Sequence, residues 1–239
     1  SVDQIITIFV NNVNEAPTLI TLSNQSLPEN EPAGYEIGTF ANNDPDLNDR
    51  LVYSFVSGAG SDDNIMFTIV GNKLYSAVTF DYEARNVYSI RVRLVDRGGL
   101  FVEQAFTINV TDVNEPPAPV RITNDRILEN QPIGTYIGTV SSTDKDNADS
   151  VTITIADGPG GEDNAKFTLV GTDLYSNDVF DHEGKPTLSV LFKATDRLGL
   201  STFQSILIAV LNVNEAPSDI ALSPDIVAEK SPRSEEHTS

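Results

Sequence analysis

Apolar residues in this chain recur at every second position, in short runs cut by turn residues. Residues 87–96 are the clearest case. Ile90, Val92 and Leu94 alternate with Arg91 and Arg93, the pattern of a strand with one buried face. In a second, related stretch Val190, Phe192 and Ala194 take the inward places, while Leu191 and Lys193 are expected to face outward. Phe106, Ile108 and Val110 form the inward set of a further strand, matched by Ile206, Ile208 and Val210. Shorter runs at 51–56, 67–70, 73–75 and 151–155 predict more strands between Gly-containing and polar turns. Residues 70–73 read as a tight hairpin turn in which Gly71 and Asn72 can take positive φ. No segment carries a helical period.

The same elements return in register. NEAP at 14–17 becomes NEPP at 114–117 and NEAP again at 214–217, a period of 100 residues. LPEN at 27–30 returns as ILEN at 127–130, FDYE at 80–83 as FDHE at 180–183, and DRGGL at 96–100 as DRLGL at 196–200. About seven short strands in each copy predicts an all-β fold of tandem seven-stranded Greek-key β-sandwiches, immunoglobulin-like and arranged end to end. The expected organisation is 1–16 as the closing strand and linker of a preceding repeat, then full repeats at 17–116 and 117–216. Residues 217–232 are expected to open a further repeat, and 233–239 (RSEEHTS) to be a translated sequencing adapter outside the fold.

Composition narrows the partners. The net charge is −20 over 239 residues, with 39% hydrophobic residues, so the chain is acidic yet able to build cores. Nucleic acid is excluded as a natural partner, because it selects basic surfaces. With no Cys, disulfides do not staple the fold. His182 and His237 are the only histidines, and His237 lies in the suspected adapter, so a zinc site is not expected.

The recurrent motifs are mostly acidic, and they fall at strand ends and turns. Glu29, Asp81, Glu83, Asp112, Glu115, Asp144, Asp146 and Asp196 are expected to gather at a domain junction. Eight carboxylates in a small volume repel strongly, and hard divalent cations relieve that repulsion. Calcium suits them, since it takes 6–8 oxygens from carboxylates, amides, backbone carbonyls and water. Any one acidic residue in a surface loop is ordinarily there for solubility; the recurrence of whole motifs is what makes these candidates. Asp63 and Asp163 also recur, but read as residues of an exposed loop, and Asp149 and Asp178 have only their charge to commend them.

These motifs resemble the cadherin repeat family: a Glu in a PEN-like motif, an Asp-x-Glu motif, a linker beginning at Asp112, an Asp-x-Asp and a later Asp. The resemblance covers essentially all of residues 12–215. It implies three Ca²⁺ at the central linker. Glu29, Asp81, Glu83 and Glu115 would hold the first ion. Glu29, Glu83, Asp112, the Val113 carbonyl, Glu115 and Asp146 would hold the second. Asn114, the Pro116 carbonyl, Asp144, Asp146 and Asp196 would hold the third. The linker departs from the family pattern, being one residue shorter and carrying Glu115 in place of an Asp. Partial outer sites are expected from Asn12, Asn14, Glu15, Asp44, Asp46 and Asp96, and from Glu129, Asp181, Glu183, Asn212, Asn214 and Glu215. Asn12 and Asn212 replace Asp112 there, which predicts weaker binding.

The resemblance implies a calcium-rigidified spacer or cell-adhesion segment of a larger surface protein, extracellular and without catalytic residues. Its partners would be calcium ions, neighbouring repeats of the same chain, and a homophilic or heterophilic surface protein or a glycan. The alternatives are a carbohydrate- or protein-binding module and accessory repeats of a secreted enzyme. No Ser–His–Asp set or phosphate-binding Gly loop points to catalysis. Trp is absent, so adhesion by tryptophan exchange cannot occur within these residues.

Overall fold

A computed structural model of the chain describes residues 3, 4, 6–46, 49–146 and 150–216. The expected opening of a further repeat at 217–232, the expected adapter at 233–239 and Asp149 lie outside the described residues. Those described are all β, apart from two single turns of 3-10 helix at Asn64–Met66 and Asn164–Lys166. No helix among them is long and apolar enough to cross a membrane.

The first copy contains β1 (Leu19–Leu22), β2 (Ser26–Pro28), β3 (Glu36–Asn43), β4 (Val52–Phe55), β5 (Phe67–Val70), β6 (Lys73–Ser76), β7 (Val87–Val95) and β8 (Phe101–Thr111). They form two four-stranded sheets, ordered β1-β3-β6-β5 and β2-β8-β7-β4. The expected seven strands thus appear as eight segments, because the first strand changes sheets: β1 runs antiparallel to β3, and β2 runs parallel to β8. The crossing is tight. A Cβ on Gly38 would come within 2.8 Å of the Asn24 carbonyl oxygen, and the β3–β6 register slips at this point. Asn24 Nδ2 then bonds the carbonyls of Ser26 and Ile37, pinning the crossover.

Side chains from both sheets meet in one core. Ile90, Val92, Leu94 and Ile108 are fully buried, and Phe40 stacks on Tyr53 with ring centroids 5.1 Å apart. The inward alternation read from the sequence is therefore the packing face. Arg91 and Arg93 point outward and converge on Glu103. The hairpin turn joins Val70 to Lys73, and Gly71 takes φ 62°; Asn72 does not take positive φ, contrary to expectation.

The second copy repeats the plan with β9 (Arg121–Ile122), β10 (Arg126–Leu128), β11 (Tyr136–Ser141), β12 (Thr152–Ile155), β13 (Phe167–Val170), β14 (Asp173–Ser176), β15 (Thr187–Thr195) and β16 (Ser201–Leu211). Its sheets are β13-β14-β11-β9 and β10-β16-β15-β12. Volume is redistributed: Phe40, Tyr53 and Phe106 become Val140, Ile153 and Ile206, while Val92 becomes the buried Phe192. Ile206 is only half-buried. Leu191, expected to face outward, is 6% exposed, because the Gly158 turn lies over it and a Cβ there would sit 3.2 Å from its Cδ2. In the first copy the same turn accepts a hydrogen bond from Arg91 at the Ala59 carbonyl.

Asp63 and Asp163 correct the sequence reading more sharply. Both are buried rather than loop-exposed. Asp63 receives two bonds of 2.7 Å from the Arg85 guanidinium and one from the Ser89 N–H; Asp163 receives the same service from Lys185 and Ser189. A buried carboxylate persists only when so paired. These two residues belong to the fold.

By packing, the chain divides into two compact units. Of the described residues, one comprises those up to Pro119 and those within Ser142–Thr152 and Ala194–Thr202, and the other those within Val120–Ser141 and Ile153–Lys193 and from Phe203 onward.

Candidate metal centre

Three motifs of the first copy are fastened together at one end of the sandwich by the backbone around Glu29. The Glu29 N–H donates to the Thr111 carbonyl at the end of β8, and the Asn30 N–H donates to the Phe80 carbonyl. Asn30 takes φ 62°, a left-handed conformation that Asn tolerates better than most residues. The Glu29 side chain, 2% exposed, completes the fastening: one carboxylate oxygen accepts the Val113 N–H at 2.9 Å, the other the Tyr82 N–H at 2.8 Å. The Asp-x-Glu loop and the linker are thus tied to the PEN-like motif, since each donates an N–H to its Glu29 carboxylate.

Onto this frame come the acidic loops of the same packed unit. Oxygens of Glu29, Asp81 and Glu83 lie within 4.8 Å of one another, as do oxygens of Glu83, Glu115 and Asp146. Asp146 is oriented by the Glu115 N–H on Oδ2 at 2.9 Å, and its own N–H donates to Asp144. Asn114 Nδ2 donates to Asp196 at 2.7 Å, and Asn30 Nδ2 to Glu115 Oε1 at 2.8 Å. Lys145 Nζ lies 3.1 Å from Asp81 Oδ2 and 3.6 Å from Glu115 Oε1.

Satisfaction stops there. Both carboxylate oxygens of Glu83, Oε2 of Glu115 and Oδ1 of Asp146 are buried without a hydrogen-bond partner. Such groups are costly unless something electropositive meets them. Burial, reinforced by the charges of Glu29 and Glu115, pushes the Glu83 carboxyl above its ordinary range. Desolvation, then Asp146, Glu29 and Glu115, push Asp112 up as well. The Lys145 ammonium and the Ala84 N–H hold Asp81 below the usual range. Burial opposes ionisation of Asp196, but the Asn114 amide and the Gly199 and Leu200 N–H groups outweigh it.

Each outer set repeats one half of this arrangement, with Asn12 or Asn212 as its first linker residue. Asp44, Asp49 and Asp96 form one cluster. There the Glu15 N–H and then Asn12 Nδ2 donate to Asp46, holding its carboxyl low, while Asn14 Nδ2 donates to Asp96 at 2.8 Å. Glu129, Asp181 and Glu183 form the other cluster. Glu129 is fully buried and accepts the Val213 and His182 N–H groups, which hold it below its ordinary range. Asn212 Nδ2 donates to Glu183 Oε1, and Asn130 Nδ2 to Glu215. Asn214 is exposed.

The structure therefore brings Glu29, Asp81, Glu83, Glu115 and Asp146 together directly. Asp112 joins them through the field it shares with Asp146, and Asn114 and Asp144 join through Asp196 and Asp146. Val113 enters by its N–H, and Pro116 lies beside Glu115 in the linker. Sequence reasoning missed Asp49, whose carboxylate accepts the Arg97 N–H at 3.2 Å and lies with Asp44 and Asp96. The signal was there: an Asp recurs at 149, one period later.

The family model described as "Cadherin domain" matches residues 23–111. Human Cadherin-12 is 28% identical over 242 residues, covering 91% of this chain and 30% of its own length. Human Protocadherin gamma-A12 is 30% identical, covering 90% of this chain and 25% of its own length. The chain thus spans less than a third of these relatives. Among solved structures, the Protocadherin GammaB4 extracellular domain shares 26% identity at a TM-score of 0.53, over 85% of this chain and 34% of that one. Human Protocadherin-24 EC1-2 has the same fold at a TM-score of 0.57 and 22% identity, over 78% of this chain and 93% of that one.

Proposed function

This chain belongs to the cadherin repeat family, and from that premise we propose that it is a calcium-stiffened, extracellular adhesion or spacer segment, built of repeats at 17–116 and 117–216. Its location is extracellular or at the cell surface, and it is not an enzyme. The observation that carries the calcium reading is the pair of buried, unpartnered oxygens on Glu83, whose carboxylate lies within 4.8 Å of an oxygen of Glu115 and of Asp146, residues that each keep a partnerless oxygen of their own. Hard cations prefer an all-oxygen set of this kind, and calcium accepts the irregular shell that such loops provide.

Glu29, Asp81, Glu83 and Glu115 would hold one ion. Glu29, Glu83, Asp112, Glu115, Asp146 and the Val113 carbonyl would hold a second. Asn114, Asp144, Asp146, Asp196 and the Pro116 carbonyl would hold a third. Bound cations would cancel the repulsion at the linker and tie residues 112–116 to the Asp144–Asp146 and Asp196 loops, removing linker freedom. The partial outer sets are weaker sites, with Asp49 added to Asp44 and Asp96. Extracellular modules bind calcium at roughly 10⁻⁴–10⁻³ M, so the ions would be present outside cells and absent in the cytosol. The adhesive partner is a surface protein, homophilic or heterophilic. The comparisons lend no support to a carbohydrate-binding module or an enzyme accessory.

Calorimetric calcium titration of the whole chain tests this reading, with melting curves in calcium and in EDTA. Saturable binding and a higher melting temperature in calcium are expected. A flat titration with superimposable melting curves would overturn it.

A further inference from the structure

Lys145 stands between the two acids of its own motif, Asp144 and Asp146, and its side chain reaches into the carboxylates. Its Nζ approaches Asp81 Oδ2 at 3.1 Å and Glu115 Oε1 at 3.6 Å. Both are acids to which the proposed function assigns the first ion. The reach is directed by the backbone. Asp146 bonds the Asp144 carboxylate through its N–H and the Glu115 N–H through its own carboxylate, so the residue between them is held at the edge of the cluster. In the first copy the corresponding position is Pro45, between Asp44 and Asp46, and no ammonium can be presented.

We infer that Lys145 is a tethered counter-ion that competes with metal for the Asp81–Glu115 edge of the site, lowering the affinity of one ion position and steadying the metal-free linker. The inference rests on the calcium reading above. A metal entering at Asp81 and Glu115 must displace the ammonium or bind beside it. As a salt bridge the contact adds little: the Lys145 side chain is 56% exposed, and exposed pairs are weak. As a neighbour of a dication its charge counts more, because the repulsion acts on every ion that binds there and is screened by salt. Among the described residues the Glu83–Asp146 side has no such competitor: Glu83 keeps both oxygens, and Asp146 one, without a partner. The ions therefore fill unequally, with the Asp81 edge last.

The test is calcium titration of the whole chain by calorimetry, comparing wild type with Lys145→Ala and Lys145→Arg at low and high salt. Lys145→Ala should tighten the weakest binding phase about three- to tenfold, less at high salt, while Lys145→Arg stays near wild type. Melting curves supply a readout that a merely structural lysine would not give. Lys145→Ala should melt lower than wild type in EDTA and higher than wild type at subsaturating calcium. If the Lys145→Ala titration superimposes on wild type, or if melting falls equally in both conditions, the inference is overturned while the calcium reading stands. If wild type binds no calcium at all, the calcium reading fails, and this inference with it.

Discussion

The linker at 112–115 and the linker at 212–215 share a frame and differ in one atom. At both, a buried Glu (Glu29, Glu129) accepts the N–H of the linker valine (Val113, Val213) and of the middle residue of the Asp-x-Glu loop (Tyr82, His182). At both, an Asn in left-handed conformation donates to the linker Glu. The first linker residue then diverges. Asn212 turns an amide N–H onto Glu183, whereas Asp112 adds an anion to the field of Asp146, Glu29 and Glu115. One set partly satisfies itself. The other has the Lys145 ammonium at its Asp81 edge and keeps buried, partnerless oxygens on Glu83, Glu115 and Asp146. On the proposed calcium reading, this exchange of an oxygen for an NH₂ group would help make the central set the stronger site.

Removing the charge that most needs metal should break this contrast furthest. Glu83→Gln leaves the shape of the central cluster and deletes the anion whose oxygens have no partner. Calcium affinity should fall by at least about tenfold, worth about 1.4 kcal/mol. In EDTA the same variant should melt no lower than wild type, since repulsion is relieved. Calorimetry and melting curves check both halves. A variant that melts lower in EDTA yet binds calcium normally would show that Glu83 serves packing alone.

Exchanging the first linker residues sharpens the comparison. Asp112→Asn should weaken calcium binding by roughly three- to tenfold and raise the melting temperature in EDTA. Asn212→Asp should do the opposite at its own cluster: it loses the donor to Glu183, lowers metal-free stability by about 0.5–1.5 kcal/mol, and gains affinity. If the two substitutions shift melting in the same direction in EDTA, the amide–carboxylate distinction does not govern the sites.

Much of this could be read in the sequence, and the misreadings share a cause. The alternation of Ile90, Val92 and Leu94 needs only period two to be legible, and all three are buried. The acidic motifs were legible because they recur in order. What failed were decisions that depend on a distant partner. Asp63 looks like a loop residue until Arg85 is seen clamping it; the clue was that position 185 is also cationic. Leu191 looks outward by alternation, but the Gly158 turn covers it. The change of sheets after Leu22 depends on Gly38 making room for Asn24, a contact with no local signature. Asp49 is legible only through its recurrence at 149, because a single acid in a loop reads as a solubilising residue.

The smallest expected effect is on pH dependence, and it carries a sign. Burial and neighbouring anions raise the Glu83 and Asp112 carboxyls above their ordinary values. A group raised in the folded state contributes stability that is full below its unfolded pKa, about 4 for a carboxyl, and is lost as pH rises through the folded value. Acidifying metal-stripped protein from neutral pH towards the ordinary carboxyl range should therefore favour that contribution and raise the melting temperature slightly. Below about pH 4 the trend should turn. Asp81, Asp196, Glu129 and Asp46 are held low, so their contribution is present above the ordinary carboxylate values and lost as pH falls through the depressed ones. With calcium bound, protons compete with the ion, and acidification over the same upper window should destabilise instead. Asp112→Asn should shrink the metal-free rise by removing one of its two sources. If metal-stripped wild type instead loses stability steadily from pH 7 to 5, the crowded carboxylates of the central linker are not under strain, and the contrast with Asn212 has no energetic content.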